Sequence, residues 1–191
     1  MAKALSNQML IIRSNYVLGL ISWALLRYVP ESTLQEFDVV LLADSNLVHR
    51  VRPHKAPPEF TGGEAIKVTW LEGSAGDKTR GATDQFLKSV VRQFNIDLYE
   101  IVRLYCDRNA LTALMFQQPW AAFLRLVRSS FVHTDAYWDF TGGGKNLVPA
   151  TWHGKTITKD MEVTPVKVDF YGYFDSWKMW EDVYQFASQL P

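Results

Sequence analysis

The stretch TDQFLKSVVRQFNIDLYEIVRLYCDR, Thr83–Arg108, decides the class of fold. Phe86, Val90, Phe94, Leu98, Ile101, Val102 and Tyr105 recur at three- and four-residue spacing and line one side of a long helix, which Asn109 is placed to terminate. The flanks read the same way. From Leu5 to Tyr28 the apolar residues keep a helical period until Pro30 closes the segment. Thr33 and Glu36 stand at capping-box spacing ahead of FDVVLLADSNLV, which predicts a second, shorter helix. Pro119 suits the first turn of a helix reaching about His133, and Ser176 to Leu190 is a final amphipathic helix. Only TWHGKTITKDMEVTPVKVDFYGYF, Thr151–Phe174, alternates as a small hairpin or pair of strands does. The expectation is a mainly α chain: a helical bundle with a small β-hairpin before the last helix.

Between Arg50 and Gly81 the texture changes. Pro53, Pro57, Pro58, Gly62, Gly63, Gly73 and Gly76 interrupt any helix, and AIKVTWL, Ala65–Leu71, is the one strand-like run. This reads as a long surface excursion, about residues 50–81, within a single domain covering 1–191. A chain of 191 residues with 48% apolar content is long enough for one such domain with its own core.

Lys plus Arg equals Asp plus Glu at 20 each, so no global field advertises a nucleic-acid or anionic-lipid partner; such a contact has to come from a local patch. The single cysteine, Cys106, has no internal disulfide partner and sits in a helical pattern, as an inert core thiol in a reducing compartment does. There is no CxxC, no HExxH and no clustered His/Cys set, which leaves zinc chemistry without support. The apolar N-terminus, MLIIRSNYVLGLISWALL, is interrupted by Arg13, Ser14 and Asn15, leaving a run too short to span a bilayer. No small-residue cleavage site follows it. The expectation is a cytoplasmic protein with no membrane contact.

The segment PWAAFLRLVRSSFVHTDAYWDF, Pro119–Phe140, carries the candidate chemistry. On a helix at about 100° per residue, Trp120, Phe123, Leu124, Val127 and Phe131 share one face, while Arg125, Ser129 and His133, four apart in succession, lie opposite. Arg128 falls near the border of the core stripe, roughly 140° from His133, so the two meet poorly within one straight helix. Ala122, Leu126 and Val132 make the back face apolar as well. A helix apolar on both sides is buried on both, against the N-terminal helix or a second copy in a two-fold contact; the reading favours a homodimer. Spacing alone argues little, because ten Arg and four His in this chain yield about 0.6 Arg/His pairs four to six apart by chance.

With its surroundings, FLRLVRSSFVH resembles the Arg-x4-6-His motif of the HEPN superfamily (higher eukaryotes and prokaryotes nucleotide-binding), helical bundles many of which are metal-independent RNases. QPWAAFLRLVR upstream and TWHGKTITKDM downstream resemble the bacterial and plasmid-type members, in which a short stranded insertion and a final helix follow the motif. The resemblance covers Thr83 to Gln189; Met1 to Arg80 matches only as a first helix. It implies an endoribonuclease, of the toxin or antiphage effector kind, needing no metal and no cofactor. Arg128 would clamp the scissile phosphate and His133 would act as general acid or base, with Ser129, Asp135 and Arg125 in support. Imidazole titrates near neutrality and guanidinium offers planar donors at constant charge, so the two types suit attack by a ribose 2′-hydroxyl. Members commonly carry Asn where this chain has Ser129. That departure favours the alternative, a non-catalytic module binding nucleotide, RNA or a protein partner. An RNA substrate and an antitoxin or sensor protein are the implied partners.

Lesser candidates are the basic run HRVRPHK (His49–Lys55), Lys145 after three glycines, Tyr137 and Trp138 as base-stacking residues, and His153 as a partner contact. Each has a plainer reading as solvated charge or packing.

Overall fold

The computed structural model describes residues 3–28, 37–41, 48–53, 75–133, 136–141 and 143–190. The chain is mainly helical, with a two-stranded antiparallel sheet just before the last helix. In order, the elements are α1 (Lys3–Tyr28), β1 (Phe37–Leu41), β2 (Val48–Pro53), α2 (Ala75–Arg108), α3 (Thr112–Phe116), α4 (Ala121–His133), β3 (Ala150–Trp152), β4 (Lys155–Ile157) and α5 (Tyr173–Ser188). They fall into two compact units, residues 21–86 forming one, and residues 1–20 with 87–191 the other.

The smaller unit holds the hairpin of β1 and β2, in which Phe37 faces Pro53 and Val39 faces Val51, with an irregularity at Val40/Leu41. A helix over FDVVLLADSNLV is therefore not what forms. The β-branched pairs Val39–Val40 and Val48/Val51 lose rotamer freedom in a helix and none on a pleated surface, and that preference prevails. His49, Arg50 and Arg52 of the basic run lie on β2. His54, Lys55, the strand-like run at Ala65–Leu71 and the expected cap residues Thr33 and Glu36 lie outside the described residues.

Helix α2 starts at Ala75, eight residues before Thr83, and takes Gly76 and Gly81 into its first turns. An isolated glycine costs a helix about 1 kcal/mol, which does not outweigh the propagating hydrogen bonds of so long a segment. Arg13, Ser14 and Asn15 do not break α1 either, and the Ser14 hydroxyl donates to the Leu10 carbonyl at 2.8 Å. As a result Ala4–Tyr28 is long and apolar enough, by length and composition, to cross a membrane, contrary to the expected short run.

In the larger unit α1 turns Leu5, Met9, Ile12 and Tyr16 into a core shared with Phe94, Leu98 and Val102 of α2, and with Met179, Trp180 and Val183 of α5. The Tyr16 ring stacks on Phe94 at 3.9 Å, and its hydroxyl donates to the Tyr173 carbonyl. A Cβ on Gly19 would sit 2.7 Å from Cγ1 of Val90, so the missing side chain sets how closely α1 approaches α2. Buried Asn95 ties three segments together. Its amide donates to the Val91 carbonyl and the Ser176 hydroxyl, both at 2.8 Å, and its carbonyl accepts from the Tyr171 hydroxyl at 2.6 Å. Burial pushes the Cys106 thiol up to about 11, leaving it un-ionised and inert at neutral pH.

The β3–β4 hairpin docks through Trp152, whose indole donates to Asp182 at 2.7 Å, and through Lys155, which reaches Asp175 and the Phe170 carbonyl at 2.6 Å each. Phe123 of α4 packs against Trp152, Phe170 and Tyr171. This places α4 between the hairpin and α2, with one flank left for chemistry.

Candidate functional site

Helix α4 sorts its residues much as a helical projection predicts. Trp120, Phe123, Leu124, Val127 and Phe131 are all buried. The opposite side differs from expectation at Leu126, which is only 1% exposed within the single chain. Gly144 lies against it: a Cβ there would meet Cδ2 of Leu126 at 3.3 Å and the Phe140 Cβ at 3.4 Å. Hydrogen bonds just before and within the stretch around Gly144 fix its path. The Asp139 amide donates to the buried Ser130 hydroxyl at 3.3 Å, and the Lys145 amide donates to the Phe140 carbonyl at 3.0 Å. Leu126 therefore leaves water within a single copy of the chain.

A direct consequence concerns Leu126→Glu. The carboxylate would have to leave water where Leu126 is 1% exposed and packed against Gly144, and the neighbouring arginines offset only part of that, leaving a cost of about 3 kcal/mol. In a chain of this size the melting temperature should fall by roughly 10 °C, rather than a folded monomer appearing at unchanged stability. Calorimetry with sedimentation on the same sample distinguishes the two outcomes.

Beside Leu126 opens a cavity of about 390 Å³, lined by Tyr99 and Arg103 of α2, Phe116 of α3, Arg125, Leu126, Arg128 and Ser129 of α4, and Thr141, Gly144 and Leu147 beyond it. Three guanidinium groups, two aliphatic hydroxyls and the apolar side chains of Phe116, Leu126 and Leu147 therefore line one cavity. The convergence has a geometric origin. Arg125, Arg128 and Ser129 are three and four residues apart and lie on one flank of α4.

The electrostatics of the cavity turn on Glu100. Its Oε1 lies 2.5 Å from Nη2 of Arg128, and Oε2 lies 3.8 Å from Nη1 of Arg103. The Arg128 contact satisfies an ion pair by distance, yet neither Glu100 Oε1 nor Arg128 Nε has a hydrogen-bond partner of acceptable geometry, although both atoms are buried. The pair is held by charge and not by a well-directed bidentate fork. Arg103 is anchored from its other side by Asp107 at 3.3 Å; the Thr112 hydroxyl, 2.6 Å from that carboxylate, and Arg103 itself hold Asp107 below the usual carboxylate range. The guanidinium of Arg125 stands 5.8 Å over the Phe116 ring. Burial raises the Tyr99 phenol above its ordinary value, and Arg125, Arg103 and Arg128 oppose that rise, which marks all three cations as its neighbours.

Of the residues singled out from sequence, Arg125, Arg128 and Ser129 are thus brought together. His133 is the last residue of α4, five residues beyond Arg128; its side chain, and all of Asp135, lie outside the described residues. Trp138 is buried edge-on against Phe170, a packing residue, while Tyr137 is exposed. Lys145 pairs with Glu162 at 3.4 Å. His153, at the tip of the β3–β4 hairpin with φ of 44°, is 3.0 Å from Asp182. Arg103, Tyr99, Phe116 and Thr141 were not legible as site residues. Arg103 sits off the apolar stripe of α2 among charges at three- and four-residue spacing, a pattern that ordinarily means a solvated face.

Comparison of the chain with protein-family models, with curated proteins and with solved structures finds no match.

Proposed function

We propose that the chain binds the phosphate groups of RNA or of a nucleotide in the arginine cavity between α2 and α4. The observation that carries this reading is the convergence of Arg103, Arg125 and Arg128 with the Ser129 and Thr141 hydroxyls on one cavity. Guanidinium is the side chain best matched to phosphate oxygens, and hydroxyls supply the remaining donors. The apolar side chains of Phe116 and Leu147 in the same lining give a base or ribose something to lie against. The net charge of the chain is zero. Binding then depends on this local patch, and affinity for a single-stranded RNA should fall with salt at a slope set by two or three released counterions, about −0.7 for each phosphate neutralised. Fluorescence anisotropy of a labelled oligoribonucleotide across a salt series tests it; affinity that ignores salt counts against it.

A second reading, metal-independent cleavage of that RNA, is favoured by one feature. Arg128 and Ser129 line the cavity and the same helix ends at His133, the arrangement that a HEPN-type ribonuclease of the resembled family would use. On this reading Arg128 holds the scissile phosphate and His133 moves the proton. His133→Ala should then lower the cleavage rate by about a hundredfold to ten-thousandfold while leaving RNA affinity within about twofold. Chelator should leave the rate unchanged, and products should end in 2′,3′-cyclic phosphate. RNA bound but never cut, by the wild type or the variant, leaves the binding module as the function.

A further inference from the structure

We infer that Glu100 is a built-in counter-ion that competes, from outside the cavity, with a ligand phosphate for the Arg128 guanidinium. The inference rests on the phosphate-binding reading and adds to it a residue that sets affinity.

The argument begins with what Glu100 does not do well. A carboxylate retained for stability next to an arginine normally forms a two-point fork, with both oxygens accepting directed N–H bonds. Here Oε1 of Glu100 presses on Nη2 of Arg128 in a geometry that is not a hydrogen bond. The Nε–H of the same guanidinium, the other half of a side-on fork, is buried with no acceptor. A buried donor and a buried acceptor left unsatisfied side by side are worse off than either would be with a correctly placed partner. A phosphate has three or four oxygens at tetrahedral angles. In the cavity its oxygens can take Arg128 together with Arg125 or the Ser129 hydroxyl, contacts that one carboxylate hinged on α2 does not make.

Position supports the same conclusion. Glu100 projects from α2, and it is Arg128 and Arg103, not Glu100, that line the cavity. The carboxylate therefore approaches the guanidinium from its α2 side. Its side chain is 38% exposed and that of Arg128 25%, so a displaced Glu100 has water to turn into. Arg103, 3.8 Å from the other oxygen, keeps the carboxylate close after displacement and ready to return when the ligand leaves. The result is a site whose arginines stay compensated and ordered when empty, at the expense of affinity when full. Solvent-screened pairs of this kind are worth little individually, so the effect is a tuning of affinity and not an on-off lock.

The experiment compares wild type, Glu100→Gln, Arg128→Ala and the double variant, using the full chain, a labelled single-stranded oligoribonucleotide, and inorganic phosphate as competitor. Glu100→Gln should bind the RNA about three- to tenfold more tightly, with competition by phosphate strengthened likewise. Its salt slope should steepen, because one more cationic charge is left for the ligand to neutralise. In the Arg128→Ala background the same substitution should change affinity by less than about twofold, since no guanidinium remains for Glu100 to occupy. A fold-supporting role predicts the reverse: earlier melting and weaker binding in Glu100→Gln. Where that variant melts early, Glu100→Asp, which keeps the charge and withdraws it by one methylene, takes its place and should also bind more tightly. Binding by wild type that Arg128→Ala removes, with no gain in Glu100→Gln or Glu100→Asp, overturns the counter-ion role and leaves the cavity standing. Absence of binding in wild type and in both Glu100 variants overturns the cavity reading itself.

Discussion

Arg128→Ala is expected to weaken single-stranded RNA binding by about tenfold to a hundredfold. Hydrogen bonds to a charged group contribute about 1.5–3 kcal/mol, and each 1.4 kcal/mol is a decade in affinity. The substitution removes the cavity cation that carries an unused buried donor, and it takes none of the apolar stripe of α4 with it. The fold should therefore survive. Glu100 loses its partner but keeps access to water and to Arg103, so a melting-temperature change beyond about 4 °C, one kcal/mol in a chain of this size, is not expected. Arg128→Lys separates charge from shape: a point charge keeps the long-range attraction and loses the planar fork, and affinity should fall between wild type and alanine. Isothermal titration with RNA, paired with calorimetric melting, reads both. Unfolding at ambient temperature would mean that Arg128 is structural.

A large stability effect should also come from a residue with no part in the cavity. Asn95→Ala removes three side-chain hydrogen bonds at once, taking from the Tyr171 hydroxyl its Asn95 acceptor and leaving the Ser176 hydroxyl its bond to the Gly172 carbonyl. A buried group deprived of its partner costs about 1–3 kcal/mol and the two lost amide bonds add to that, so a total near 3–4 kcal/mol and a melting temperature lower by about 10 °C follow. The companion Tyr171→Phe should soften the loss, because deleting both members of a pair removes the orphaned hydroxyl; the double variant is expected to be less destabilised than the sum of the singles. Additive losses in calorimetry would show that the Asn95–Tyr171 bond, at 2.6 Å, contributes little net stability.

How far the sequence carries the structure depends on whether the information is periodic or spatial. The stripe of α2 and the core face of α4 were legible because a 3.6-residue period is written in consecutive residues, and Phe94, Leu98, Val102, Phe123, Leu124 and Val127 are buried as it implies. The β3–β4 hairpin was legible from its β-branched alternation. The period misleads where other terms intervene. Val39, Val40 and Val51 form a hairpin in place of a helix, because β-branching outweighs a plausible cap signal, and Phe86, at the start of the α2 stripe, stays exposed. Leu126 shows another limit. It lies opposite the core face, and Gly144 is brought against it by tertiary packing, which no local pattern records. The cavity has the same character. Arg125, Arg128 and Ser129 are read from one helix, while Arg103, Tyr99 and Phe116 join them only because α2 and α3 fold against that helix.

Arginine side-chain NMR tests the central claim most directly, since it observes the proposed phosphate contacts themselves. With the protein labelled at arginine nitrogens and inorganic phosphate added stepwise at constant ionic strength, the guanidinium signals of Arg103, Arg125 and Arg128 should shift together and saturate along one binding curve. Arg13 and Arg108, which do not line the cavity, should stay in place. Shifts spread evenly over all arginines without saturation, or none at the three cavity arginines, would contradict the account.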